Sequence, residues 1–356
     1  MQARTKGFET GWLMNTGYDS LFIFGVLALA VGSGLLVWFY PALFVPVLLA
    51  DLWLLGYHHV ISTFTKLAGT AEDRRENSFL IYKLPFLVLA AVAALAYGIG
   101  IWSVVTIYFF WQWFHYTRQS YGISSFYRRK TSQPVAEHPY LSQAVVWCVP
   151  IWGLLTRCAQ GWEEFLFLPV WLPEIPALLP SIAGVVSVMI ILYWAILRFD
   201  AWMKGHLPLG QTLFLLSHMC AFYVGYILID DINIGWLVAN IWHNAQYILF
   251  VWLYNTNRFK GGYQKEKHAG GLWLAWASQP KPVRICAYFA GCLILTSLFY
   301  GSVQGVFKVL VGSDPALLAV IYVVIFQAVN FHHYVVDGLI WKARHKKHQT
   351  VMNLKS

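Results

Sequence analysis

The run PALLAVIYVVIFQAVNFHHYVVDGLIW, Pro315 to Trp341, is almost wholly apolar for its first half and then carries Asn330, His332, His333 and Asp337. About 20 apolar residues in a helix cross a hydrocarbon core ~30 Å thick, so the run reads as a membrane span. Imidazole and carboxylate groups inside such a span are costly unless something holds them, and they usually mark function. His333 and Asp337 are four residues apart and share one helical face, whereas His332 points a quarter to a third of a turn away. The stretch therefore offers a pair of metal ligands, with His332 supporting them or reaching a second metal.

The rest of the chain has the same character. Of 356 residues, 58% are hydrophobic and only 12% charged, far from the mix of a soluble domain. The fold class expected is all-α: a polytopic integral membrane protein, without the ten-residue alternation of an outer-membrane barrel. Apolar runs place about ten helices at 20–39, 42–66, 82–99, 101–125, 141–159, 181–199, 209–229, 232–254, 282–310 and 315–341. The domain organisation is then a segment 1–19, a single transmembrane domain 20–341 and a basic tail 342–356. The first run has no small-residue cleavage site after it and reads as a retained helix. Cys148, Cys158, Cys220, Cys286 and Cys292 lie in or beside apolar runs with no CxxC, so no disulfide framework is expected.

Charge supplies the topology. Lys and Arg fall in alternate connections: Lys66 to Lys83, Arg128 to Lys130, Arg198 to Lys204, Arg258 to Arg284, and the tail from Lys342. The intervening connections have none, which places both termini and the basic connections on the cytoplasmic side of an inner membrane or its equivalent. Arg157 and Lys308 depart from the pattern, near the outer ends of their spans, and are expected to snorkel to the interface. The net charge of +9 is thereby accounted for by topology and by contact with membrane lipid headgroups, and nucleic acid is not an expected partner. Gly161 to Leu179 is too interrupted by proline to span and reads as an interfacial loop or short helix. No internal repeat is evident, which gives no help to a repeat-built transporter.

Four further spans carry histidine in apolar sequence. The second has Asp51 and His58-His59, the fourth Gln112, His115 and Gln119, the seventh His218, and the eighth Asn240, His243, Asn244 and Gln246. Measured from the cytoplasmic end of each helix at 1.5 Å per residue, His58, His115, His218, His243 and His333 all lie ~12 to 17 Å deep. That shared depth favours convergence on one centre. His58, His59, His115, His218, His243, His332, His333 and Asp337 are the candidate metal ligands, with Asp51 a weaker one. The amides Gln112, Gln119, Asn240, Asn244, Gln246 and Asn330, and Tyr116, Tyr121, Tyr247 and Tyr334, would orient the rings or line a polar pocket. His138, His206, His268, His345 and His348 fall in connections or the tail, read as solvated or lipid-facing, and receive no role.

Neutral imidazole suits iron, copper and zinc, and an added carboxylate shifts the preference toward iron or manganese over copper(I). Seven such histidines exceed the needs of one ion, so a dinuclear site, or one metal with further histidines around its ligands, fits the number, with non-haem iron, dinuclear first, expected ahead of copper or manganese. Histidines on several helices at one cytoplasm-proximal depth resemble the membrane-bound di-iron enzymes: fatty-acid desaturases and hydroxylases, alkane hydroxylases and, more loosely, the Brp/Blh carotenoid-cleaving group. That resemblance implies a metal-dependent oxygenase, desaturase or hydroxylase using O₂ on a lipidic small-molecule substrate, fed by an electron-transfer protein at the cytoplasmic face. The chain lacks HxxxH and HxxHH boxes and keeps its histidines within the spans, so the resemblance transfers no individual residue. A metal-ion or proton transporter, or a bis-histidine haem protein, would use the same side chains.

Overall fold

The structure is a computed structural model that describes residues 10–131, 137–312 and 314–354. The first nine residues of the expected N-terminal segment and the last two of the tail lie outside the described residues. Ten long helices among the described residues follow the order of the expected segments: α1 Thr16–Phe39, α2 Pro41–Leu67, α3 Leu84–Gly98, α4 Ile101–Arg128, α5 Pro139–Ala159, α6 Leu178–Met203, α7 Leu209–Leu228, α8 Ile232–Arg258, α9 Pro282–Val311 and α10 Pro315–Ile340. Seven helices, all but α3, α4 and α8, are long and apolar enough to cross a membrane.

The three exceptions have two causes. α3 is short, at 15 residues. α4 and α8 are long but carry the amides and histidines of the polar stripes. α8 can do so because it is the axis of the bundle, buried along nearly its whole length. A helix that meets only protein needs no apolar coat facing lipid. Its neighbours come close because glycines let them: a Cβ on Gly34 of α1 would stand 2.2 Å from Val238, and one on Gly235 would stand 2.0 Å from the Gly225 carbonyl oxygen of α7. Small residues at such crossings bring backbones together in a medium that supplies no hydrophobic drive between helices. Gly235→Val is therefore expected to cost at least the ~1–3 kcal/mol of an overpacked core, read as a clear fall in melting temperature in detergent.

The basic ends of the helices gather at one end of the bundle. Thr70 caps the short helix Ala71–Glu76 with a reciprocal Thr70–Asp73 pairing, and Arg258 Nη1 at the end of α8 reaches Asp73 Oδ2 at 2.7 Å. Lys130 Nζ, just past α4, donates to the Met352 carbonyl of the tail at 2.6 Å, and Lys66 of α2 sits 4.9 Å from the ring centres of Tyr254 and Trp341.

The opposite end is closed differently from expectation. The segment after α5 holds a two-stranded hairpin, β1 Glu164–Phe165 with β2 Leu168–Pro169, in place of a loose loop or short helix. Phe165 is fully buried against Phe109 and Trp236, and Asn233 Oδ1 accepts from Leu166 N–H at 2.7 Å, so the hairpin plugs the bundle over α8. Arg157 does not snorkel. It is 1% exposed and donates to the carbonyls of Gly225 (2.8 Å), Ile229 (2.5 Å) and Asp230, satisfying carbonyl groups that α7 leaves free at its end.

Candidate metal centre

Four helices bring one imidazole each to the middle of the bundle: His59 from α2, His115 from α4, His243 from α8 and His333 from α10. Their ring centroids close a circuit, His59 to His333 4.6 Å, His333 to His115 5.1 Å, His115 to His243 4.9 Å and His243 to His59 5.4 Å. Asp337, one turn beyond His333, places Oδ2 3.5 Å from His333 Nε2 and 3.7 Å from His115 Nε2. Ligand atoms of His59, His243 and His333 lie within 4.8 Å of one another, as do those of His115, His333 and Asp337.

These five side chains are 8% exposed or less. Both ring nitrogens of His59 and of His243, and Nε2 of His115 and His333, make no hydrogen bond among the described residues. A buried polar atom left unpaired costs about 1–3 kcal/mol, so a concentration of them at one point calls for an occupant. These are ligand types that could hold a metal ion: imidazole nitrogens and a carboxylate oxygen.

The surrounding hydrogen bonds fix the rings in a state suited to this. Trp341 Nε1–H donates to Tyr247 Oη at 3.0 Å, and Tyr247 donates to Asp337 Oδ1 at 2.6 Å. Thr63 lies 2.9 Å from Tyr247 Oη and 3.0 Å from His333 Nδ1. With the Tyr247 proton committed to Asp337, the one Thr63 hydroxyl proton is shared between Tyr247 Oη and the His59 carbonyl of its own helix at 3.2 Å, and Thr63 accepts from His333 Nδ1–H. That assignment leaves the lone pair of His333 on Nε2, facing the centre. Tyr116 stacks on His243 at 4.2 Å and Tyr334 on His115 at 4.4 Å, holding both rings in plane. Farther from the basic end, Asn240 links Tyr116 to Asp51, with Asn240 Nδ2 2.5 Å from Asp51 Oδ2.

His59, not His58, faces the centre because α2 is not a regular α-helix. A π-turn at Leu52–Gly56 inserts one extra residue between Asp51 and the histidine pair. In a regular helix Asp51 and His58, seven apart, share a face; one residue absorbed by the wider turn moves that alignment to His59. Asp51 and His59 accordingly both meet α8, through Asn240 and through His243.

Three of the expected ligands are turned elsewhere. His58 bonds through Nδ1 to the Leu54 carbonyl at 3.1 Å and packs on Phe289. His218 bonds to the Val146 carbonyl at 2.8 Å among Phe222 and Trp242, joining α7 to α5. His332 bonds to the Leu80 carbonyl at 2.7 Å and stacks on Phe64. Asn330 pairs with Gln327 at 3.2 Å, and Tyr121 is exposed. Thr63 and Trp341, which sequence reasoning missed, complete the site. Thr63 carried one signal, its i+4 spacing from His59.

His348 and His268 are buried and not solvated. His348, in the tail helix Lys346–Val351, bonds to the Lys342 carbonyl at 2.8 Å and packs on Tyr254 and Trp341. Burial, and then the nearby Lys66 charge, push its pKa down to about 4, with His345 and Lys347 adding to the fall and the Lys342 carbonyl opposing it. A free histidine titrates near about 6.5. Between these values a released tail takes up a proton that the docked tail refuses, so docking is strongest above about pH 6.5 and weakens as pH falls toward 4. The protection factors of residues 345–354, exchange rates corrected for the intrinsic pH dependence of amide exchange, are expected to fall roughly ten- to hundredfold across that window, and His348→Phe to flatten the dependence.

No protein-family model matches this chain, and no curated protein or solved structure does either.

Proposed function

We propose that the chain is a membrane-embedded, iron-dependent, non-haem oxidoreductase acting with O₂ on a lipidic substrate. The observation that carries this is the convergence of His59, His115, His243, His333 and Asp337, from four helices, as two ligand triads that share His333, with ring nitrogens unpartnered among the described residues. Four nitrogens and one oxygen make a donor set suited to iron. Iron held there would supply activation of O₂ toward a C–H or C=C bond. The protein's own part is to fix that donor set: Thr63 sets the His333 tautomer, Tyr247 and Trp341 hold Asp337, and Tyr116 and Tyr334 clamp the remaining rings.

The donors form two triads that share His333, and since His333 offers only Nε2 and one nitrogen serves one ion, a single ion is the first reading. A dinuclear centre is the second reading, favoured by the two overlapping triads. Four rings with centroids 4.6 to 5.4 Å apart leave no width for a porphyrin among them, which speaks against haem. All ten helices span the membrane in this reading, with both termini cytoplasmic and the centre toward the cytoplasmic side. The clustering of Lys66, Lys130 and Arg258 at one end of the bundle supports that orientation. The same basic face would receive an acidic electron-transfer protein.

Elemental analysis of protein purified in mild detergent tests this reading directly. About one iron per chain, with no Soret absorption, is expected. Two would establish the dinuclear form, and a preparation loaded with iron salt that still holds no stoichiometric metal would sink the proposal.

A further inference from the structure

A narrow cavity with about 50 Å³ of room lies between α4, α8 and α10, and His115 and Asp337 of the candidate metal centre form its inner end. Phe126 of α4, Phe250 of α8 and Trp341 just past α10 wall the rest, each nearer the basic end of the bundle than the centre is. Arg118, an exposed side chain, also lines it, so the cavity opens to the outside of the bundle. Glycine gives it its width: Gly122 of α4 and Gly338 of α10 line it, and a Cβ built on either meets nothing within 4 Å. Its polar atoms are short of partners. Gln119 donates through Nε2 to the His243 carbonyl at 3.1 Å, which leaves Oε1, a buried atom of the lining, with no hydrogen bond among the described residues. His115 is 5% exposed and its Nε2 is likewise unpartnered, while Asp337 turns Oδ2 toward it at 3.7 Å and gives Oδ1 to Tyr247.

We infer that this cavity is a water path: it holds one or two water molecules, hydrogen-bonded to Gln119 Oε1 and Asp337 Oδ2, and joins the centre to the basic end of the bundle. A water takes up ~30 Å³ in the liquid, so the volume fits that number. Buried waters settle where polar groups lack partners, each making about three hydrogen bonds. The inner end of the cavity offers acceptors of that kind, and its walls farther out are apolar. Pockets that hold a whole organic ligand run to about 300–1,000 Å³. An acyl chain has no room here, so what enters is water and the protons that water carries. The inference rests on the function proposed above for its purpose, delivery of water or protons to the centre, while the hydration itself does not require the metal.

The test is hydroxyl-radical footprinting with X-ray pulses on the full chain in phosphatidylcholine nanodiscs, in water labelled with oxygen-18, with iron measured on the same samples. Radicals formed from a water oxidise the side chain beside it, whether or not that side chain reaches bulk solvent. Phe126 and Phe250 are 1% and 4% exposed, and Phe22 and Phe214, which do not line the cavity, are fully buried. Phe126 and Phe250 are expected to take up label at least about tenfold faster than Phe22 and Phe214, because only the first two stand beside water. Gly122→Leu and Gly338→Leu, which fill the cavity from two of its walls, should each lower that labelling by about fivefold or more, with iron content unchanged. Labelling of Phe126 and Phe250 no faster than that of Phe22 and Phe214, or at the wild-type rate in both leucine variants, would overturn the inference. If the labelling, and its loss in the leucine variants, is found in protein that holds no stoichiometric iron, the water path stands and the iron reading fails.

Discussion

His243→Leu is expected to abolish stoichiometric iron and, at the same time, to raise the melting temperature of the metal-free protein. His243 is fully buried on the axial helix, and neither of its ring nitrogens makes a hydrogen bond among the described residues. In the metal-free protein those atoms carry the penalty of unpaired buried polar groups, about 1–3 kcal/mol. Leucine is of similar size and removes the penalty together with the ligand. The expected loss of iron affinity exceeds the roughly 10- to 100-fold that follows removal of an outer partner. His218→Leu is the contrasting case: it leaves iron content unchanged and lowers stability, because it strips the Val146 carbonyl of its donor. If His243→Leu retains iron, or if His218→Leu loses it, the assignment of the centre is wrong.

Tyr247→Phe has the second largest expected effect, and of a different kind. The hydroxyl is the junction of the network, donating to Asp337 and receiving Trp341 and Thr63. Its removal leaves Trp341 Nε1 and one Asp337 oxygen unpaired and frees Thr63 to reorient, so the His333 tautomer is no longer enforced. Iron affinity is expected to fall about 10- to 100-fold, as when supporting partners of metal ligands are removed elsewhere. Stability of the metal-free protein should fall by about 1–3 kcal/mol. The opposite signs of the two stability effects separate a ligand from a supporting residue in one thermal-shift experiment. Retention of wild-type iron affinity by Tyr247→Phe would show that Asp337 needs no such support.

Much of the architecture was legible in the chain itself. Apolar runs of span length, broken by turn residues, set ten helices in order, and the alternation of Lys and Arg grouped their ends. The position of each histidine along its helix was legible as well, since distance along a helix is counted directly in residues. Depth is one coordinate only. Whether a side chain at a given depth points to the centre depends on rotation about the helix axis, and on which helix stands opposite.

Those two quantities are tertiary. His218 turns to α5 and the Val146 carbonyl. His332 departs from His333 by the turn that helical geometry requires, and the structure gives it the Leu80 carbonyl. His58 and His59 exchange roles because of the π-turn at Leu52–Gly56, which no periodicity in the sequence announces. Thr63 and Trp341 enter the site only because α8 sets Tyr247 between them. The chain by itself determined that polar groups would be buried in a membrane, because hydropathy and residue count are local properties. Which of them share a centre was decided by the packing of α2, α4 and α10 around α8, because helix rotation and adjacency are properties of the assembled bundle.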